Sequence, residues 1–547
     1  MPLKLSKTDQ AFRNPVLFAG EAKKINLDRV LLNLFMLIKY NGAKPTLRVG
    51  RKEFKVSTLV KQLVKREPEG VVKGFSENKD IVELWITANL VDLVHRGNIE
   101  KERLVSLKAI HLNSYKYRNQ KYARDYNISK QIYNMLQEAP SDFVVKLRDF
   151  LGTGWNDLTK SLDPGNNIDL DTLGILRIVE NEMKKDMPSG DSRVIPEPCI
   201  CPGQARIFTD DVRRLLVYQD TIPRHVLLEY LRTIIGIHTG LYLFRLFYIL
   251  PDWIKKGERN IICKSCPVQG DSANPFENCP YQSFLVVDCG NDPNSDMAKL
   301  SEEDANFYYA RIHDYIRSTF AVNLALQFTN KMETKRIEDI DNALAAIQAK
   351  NTDWDSYFKI RLQNLFGALK SSEEDEILVV FKPIMDLGLS NYETFIEVVN
   401  QARASFHYKY HVQLVDSLFQ SNKETGLIWF GRSRKYKRRF WLSSRLLETF
   451  VQLSVLKVKK DHKGKMAFVS EPILIDDFVQ WLEKRYGFII NGIAHERYMD
   501  TGIAIHQAFK YNIIKLKERL REIGFFNVLS DAHIMQRIRP RYYISKN

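Results

Sequence analysis

The sequence predicts a multidomain, mainly α-helical protein with small β-hairpins. Winged-helix-like modules are expected at the C-terminus and at the N-terminus, around a helical centre with a Cys-rich metal-binding insertion. Three observations predict this. First, 547 residues are several times the ~100–200 of one domain, and 44% hydrophobic with 27% charged residues, 26 Gly and 19 Pro, is an ordinary globular composition that excludes collagen, low-complexity and disordered chains. Second, apolar residues recur mostly at helical spacing, with alternation confined to short stretches beside turns. Third, all six cysteines fall between positions 199 and 289.

The expected units run 1–130, 131–190, 191–300, 301–425 and 426–547. In the first, Leu31, Leu32, Leu34, Phe35 and Ile38 form an apolar stripe on a helix from Leu27 to Tyr40, stopped by Asn41, Gly42 and Pro45. Residues 46–56 alternate like a strand pair turning near Gly50, and a helix from Thr58 to Lys65 follows, with Ser57 able to cap it. Residues 131–190 read as a helical connector whose end is marked by the Pro188-Ser-Gly turn residues. Phe208 to Tyr248 is strongly apolar and helical, and Ser301 to Gln348 reads as long helices with Ser301 as N-cap. At the C-terminal end a helix from Ser443, a hairpin over 455–469 turning at 461–464, helices from Leu474 to Tyr486 and Tyr511 to Ile523, and a last strand over 539–544 complete a winged-helix-like order.

The charge is partitioned. Residues 1–130 hold 26 basic and 13 acidic side chains and 431–547 hold 24 and 11, whereas 131–430 hold 31 and 42. Two basic ends around an acidic centre point to a polyanionic partner held by the ends. Within them, Lys116, Arg118, Lys121 and Arg124 are interleaved with four tyrosines. Arg432, Arg434, Lys435, Lys437, Arg438 and Arg439 share eleven positions with three aromatics. Cations neutralise phosphates and rings stack on bases or pack along sugars, so both strips suit backbone-led nucleic-acid binding. For the first strip the competing reading is a charged segment whose tyrosines pack inward.

The cysteines suit a metal. Cys263 and Cys266 form a CxxC knuckle, which turns the backbone so that both thiolates face one ion, and Cys279 and Cys201 can complete a four-thiolate site, with Cys199 as substitute for Cys201. Zinc is the expected ion and an iron–sulfur cluster the alternative, structural in either case. Cys289 closes an apolar run and reads as a buried strand thiol.

No Walker A, GxGxxG, HExxH or GxSxG pattern occurs, so the chain is read as non-catalytic and no small-molecule substrate is evident. Asp288 stands where a nuclease metal ligand would, but the next D/E-x-K, Glu333 to Lys335, lies in a helical stretch. His407 and His411 read as exposed histidines on a polar helix. No continuous run of ~20 apolar residues marks a membrane span or leader, since the best stretch, Val30 to Ile38, is too short and Gly240 to Pro251 is short and interrupted by Arg245, and a cytoplasmic location with no membrane partner is expected.

The pieces Gly431 to Arg434, Arg439 to Glu448, Pro472 to Leu482, Leu516 to Phe526, Leu529 to Ala532 and Arg539 to Tyr542 resemble proteins of bacterial antiphage-defence operons of the methylation-associated type. The resemblance lies in the C-terminal third and implies a defence role with operon-encoded partner proteins. With the charge partition it gives the expected function: a DNA-binding scaffold subunit gripping duplex DNA by its ends and partner proteins by its centre. A divergent metal-dependent nuclease and an RNA-binding or transcription-regulating protein are the alternatives.

Overall fold

Amphipathic stretches become helices throughout a computed structural model that describes residues 3–43, 55–65, 73–94, 102–119, 121–163, 168–183, 195–332, 339–350, 352–367, 379–431, 437–460, 466–526 and 536–545. The N-terminal part holds α1 (Leu27–Lys39), α2 (Val56–Lys65), α3 (Lys79–Trp85), the antiparallel pair β1 (Val91–Val94) and β2 (Arg103–Leu107), α4 (Ile128–Leu136), α5 (Ser141–Gly152) and α6 (Leu170–Met183). The centre is built from α7 (Pro202–Leu216), α8 (Arg224–Lys256), β3 (Leu285–Asp288), α9 (Asp296–Met332), α10 (Ile340–Ala349), α11 (Thr352–Gly367) and α12 (Asn391–Leu418). The rest comprises β4 (Ile428–Trp429), β5 (Arg439–Trp441), α13 (Ser444–Ser454), the hairpin β6 (Leu456–Lys460) and β7 (Met466–Ser470), α14 (Ile475–Tyr486), β8 (Phe488–Ile489) and α15 (Ile503–Glu522).

The axis of the molecule is α8, apolar around most of its circumference and therefore buried, with α7, α9 and α12 packed along it. Gly236 and Gly240 admit the end of α12. A Cβ at the first would stand 2.6 Å from the Leu418 carbonyl oxygen, and at the second 2.6 Å from the Phe419 ring. Among the described residues α8 alone is long and apolar enough to cross a membrane, and 94% of its most apolar stretch is buried inside the protein. A Ser390 and Glu393 capping box starts α12.

One continuous core of buried side chains runs from Leu5 to Ile538. Its sheet has the order β8-β3-β5-β4, with β3 parallel to both β8 and β5, and β4 antiparallel to β5. All four residues of β3 are buried, as a strand covered on both faces must be. The strand between the cysteines and α9 thus pairs with strands from the C-terminal 120 residues.

Several boundaries differ from expectation. The helix expected to begin at Ser301 begins at Asp296. Ser301 lies buried inside it, its hydroxyl donating to the Val286 and Phe440 carbonyls and clamping β3 and β5 to α9. The last helix begins at Ile503, and the final strand is Arg537–Ile538, paired with Ile473–Leu474. Ser57 lies inside α2 rather than before it. The expected strand pair over 46–56, the Pro188 boundary and the 461–464 turn fall wholly or mostly outside the described residues.

Candidate metal centre and nucleic-acid interface

The cysteines reach one seam from three stretches of chain. Cys201 is the residue before α7, where Pro202 occupies the first helical position and needs no hydrogen-bond partner for its nitrogen. Cys263 lies on a single helical turn, Ile261–Lys264, started by the Asn260 side chain, which accepts from the Ile262 N–H. Arg206 on α7 donates to the carbonyls of Cys266 (3.0 Å) and Val268 (3.2 Å), fastening the knuckle to the helix. Cys266 and Cys279 pack on Ile207, Val268 and Phe276.

These thiols sense one another. Burial, reinforced by Cys201, Cys279 and Cys266, pushes the Cys263 thiol up to about 12, and burial does the same to Cys201, with Cys279 and Cys266 among its neighbours. Burial raises the Cys199 thiol as well, with Glu138 and Cys201 adding to the rise and Tyr242 opposing it. Cys289 is the buried strand-end thiol that was expected: its N–H donates to Asn512 Oδ1 at 2.8 Å. Among the described residues no three His, Cys, Asp or Glu side chains close into a metal-ligating group.

Beside the seam lies Arg245, 2% exposed. It donates to Gln204 Oε1 (2.8 Å), to the Tyr281 carbonyl (3.3 Å) and to Cys279 Sγ (3.6 Å), and it stacks 3.8 Å from the Phe276 ring centroid. Gln204 in turn donates its amide to His238 Nδ1 at 2.8 Å, which leaves Nε2–H to donate to Asp211 Oδ2, also at 2.8 Å. Burial lowers the His238 pKa, in keeping with a neutral ring. Asp211 further accepts from the Tyr486 hydroxyl (2.6 Å) and Arg485 Nε (2.9 Å), while Arg485 also reaches Asp210 (2.8 Å). Burial opposes the Asp211 charge, but Arg485, His238 and Tyr486 together hold the carboxyl at about 2. Both side chains of the acid–imidazole pair are fully buried, and the network fastens α14 to α7 and α8.

Asp288 is likewise engaged. Its carboxylate meets Arg439 at 2.7 Å with both side chains buried and accepts from the Gly290 N–H; burial still pushes it up to about 6. Glu333 to Lys335 lie outside the described residues. His407 and His411 are buried, not exposed. The N-terminal arm covers them, with Phe12 stacked on His407 at 4.2 Å, and burial lowers them to about 3 and about 4.

The basic strips divide by direction. Arg438 forms a two-pronged pair with Asp416 (2.8 and 2.7 Å) and Arg439 is 1% exposed against Asp288, so both are engaged with the protein itself. Lys437 is exposed, and Arg432, Arg434 and Lys435 lie outside the described residues. In the first strip Tyr115 and Tyr117 are buried, as in the competing reading, and Lys116 is 4% exposed. Arg118 donates to Asn33, leaving Lys121 and Arg124 at the surface.

A family model described as methylation-associated defense system protein MAD7 matches residues 7–542. The chain belongs to that family. Family membership therefore extends the resemblance seen in the C-terminal third to nearly the whole chain, and it makes the protein a component of a methylation-associated defence system. No curated protein matches the chain. The feature of this MAD7-family chain that sequence reasoning passed over is Arg245. Its signal was visible as one cation within the apolar run Gly240 to Pro251, the pattern of a buried charge with a dedicated partner.

Proposed function

We propose that the chain is a non-catalytic, cytoplasmic scaffold subunit of its defence system that holds duplex DNA through basic ends and docks partner proteins on an acidic centre. The observation that carries this reading is the charge partition, 26 basic against 13 acidic residues over 1–130 and 24 against 11 over 431–547, with 42 acidic against 31 basic between them. The surface positions of Lys121, Arg124 and Lys437 support it, and the order α13, hairpin β6–β7, α14 is compatible with a winged-helix module whose wing carries Lys459 and Lys460 at the surface. Arg438 and Arg439 are excluded from the grip because their charges are matched internally.

The test is a salt-titrated binding isotherm on duplex DNA of mixed sequence. Log affinity is expected to fall linearly with log salt, and Lys121→Gln, Arg124→Gln and Lys437→Gln combined to flatten the slope by about 0.9 for each cation that touches a phosphate. Loss confined to one base position would mark base readers instead. Unchanged affinity and slope would remove these cations from the interface and leave partner docking as the role, and preferential competition by structured RNA would replace duplex DNA as the ligand.

A further inference from the structure

Between the N-terminal arm and the face of α12 that it covers lies a cavity of about 330 Å³, walled by Phe12, Phe18, Tyr315, Phe406, His407 and His411. We propose that this cavity binds a mononucleotide, its base among the aromatic and imidazole rings and its phosphate on Lys23 and Arg403. Three observations carry the inference. The first is an unmet polar atom in the wall. His407 is 8% exposed, its Nε2 finds no hydrogen-bond partner among the described residues, and burial keeps the ring neutral. Buried polar atoms are nearly always bonded, so an unmet one at a cavity wall marks where an outside group docks. His411 donates its Nδ1–H to the His407 carbonyl at 2.8 Å, and since that ring is neutral as well its Nε2 is an acceptor. Imidazole nitrogens set among flat apolar faces suit a nucleobase, which stacks by its faces and hydrogen-bonds by its edge.

The second observation is the charge beside those rings. Lys23 Nζ lies 3.6 Å from the Tyr410 ring centroid and 5.0 Å from that of Phe406, and the Arg403 guanidinium lies 4.9 Å from Phe406. Neither cation has a carboxylate partner among the described residues, and Arg403 Nε is buried without a hydrogen bond. Arg13, also at the cavity, is by contrast paired with Glu21 at 3.2 Å. Two unmatched cations balance a phosphate monoester, which carries about −1.5 to −2 at neutral pH, whereas an aromatic carboxylate would leave one of them over. The third observation is size and access. The volume stands at the low end of the ~300–1,000 Å³ of ligand pockets, room for one nucleotide, and Phe406 is left 43% exposed.

The full chain is titrated calorimetrically with the 5′-monophosphates of adenosine, guanosine, cytidine and uridine, with the matching nucleosides and with inorganic phosphate. At least one nucleotide is expected to bind one per chain, and its nucleoside about tenfold or more weaker. His407→Phe keeps a buried ring but removes the nitrogen, and is expected to weaken nucleotide and nucleoside alike by about tenfold. Lys23→Gln and Arg403→Gln are expected to weaken the nucleotide and leave the nucleoside unchanged, a split that a merely structural role would not produce. If His407→Phe fails to fold, Lys23→Gln at the surface still decides. A 5′-phosphorylated tetranucleotide that competes as well as the nucleotide would assign the source to a strand end, and one that does not to the free nucleotide; either keeps the site. No binding by any of the four nucleotides, or binding unchanged in all three variants, overturns it. A nucleoside that binds as tightly as its nucleotide overturns the part given to Lys23 and Arg403.

Discussion

Arg485 and Arg245 are each 2% exposed and belong to one hydrogen-bonded chain of side chains, yet their surroundings are opposite. Arg485 meets two carboxylates, Asp210 and Asp211, and the Gly270 carbonyl, while Arg245 meets an amide, a carbonyl, a ring and a thiol. The first is a completed ion pair that fastens the C-terminal third to the centre. The second is a cation held by neutral partners, with no carboxylate among the described residues in ion-pair reach. The difference shows two ways of burying a charge: one is matched by carboxylates, the other is held by neutral hydrogen-bond acceptors and a ring face.

The sharpest way to break the matched side is Arg485→Leu, which strands Asp210 and Asp211 without their cation. A loss of about 3–5 kcal/mol in chemical denaturation is expected, and a loss under about 1 kcal/mol would show that the pair is not the fastening. Acid acts on the same site. Asp211 is held at about 2 against an unfolded value near 3.9, so its contribution is complete above the unfolded value and disappears as pH falls through about 2. The expected loss on the order of 2–3 kcal/mol should be absent in Asp211→Asn.

The unmatched side should cost less to break. Arg245→Leu is expected to lower stability by about 1–2 kcal/mol, because it removes hydrogen bonds to Gln204 and the Tyr281 carbonyl but strands no carboxylate. A loss as large as that of Arg485→Leu would show that the two cations are not distinguished by their partners. The smallest expected effect lies at the surface: Lys437→Gln should leave stability within about 0.5 kcal/mol while weakening DNA binding at low salt, whereas Arg439→Gln should destabilise the fold by stranding Asp288.

The contrast extends to the two basic strips. Their composition was plain in the sequence, but composition cannot say which way each cation turns. Arg439 turns inward because β5 pairs with β3, setting it beside Asp288 at the end of that strand. Tyr115 and Tyr117 turn inward because the segment after β2 folds back over α1 and α6. Likewise His407 and His411 sit on α12 with nothing in their neighbourhood to announce the arm from Phe12 that covers them.

The sequence by itself determined the helices whose apolar stripes are strong, such as α1 and α14, because 3.6-residue periodicity is a local property. It also determined the CxxC knuckle, the hairpin β6–β7, the charge partition and, through its C-terminal pieces, the kind of system the protein serves. Only the tertiary structure decided the parallel pairing of Leu285–Asp288 with strands more than a hundred residues away, since a four-residue strand buried on both faces has no alternation to display. It alone showed that Cys201 is buried just before α7 while Cys199, two positions away in sequence, is half-buried beside Tyr242. It also revealed that Arg245 meets no carboxylate among the described residues, since the partners of a buried charge are set by packing between segments that no local pattern records.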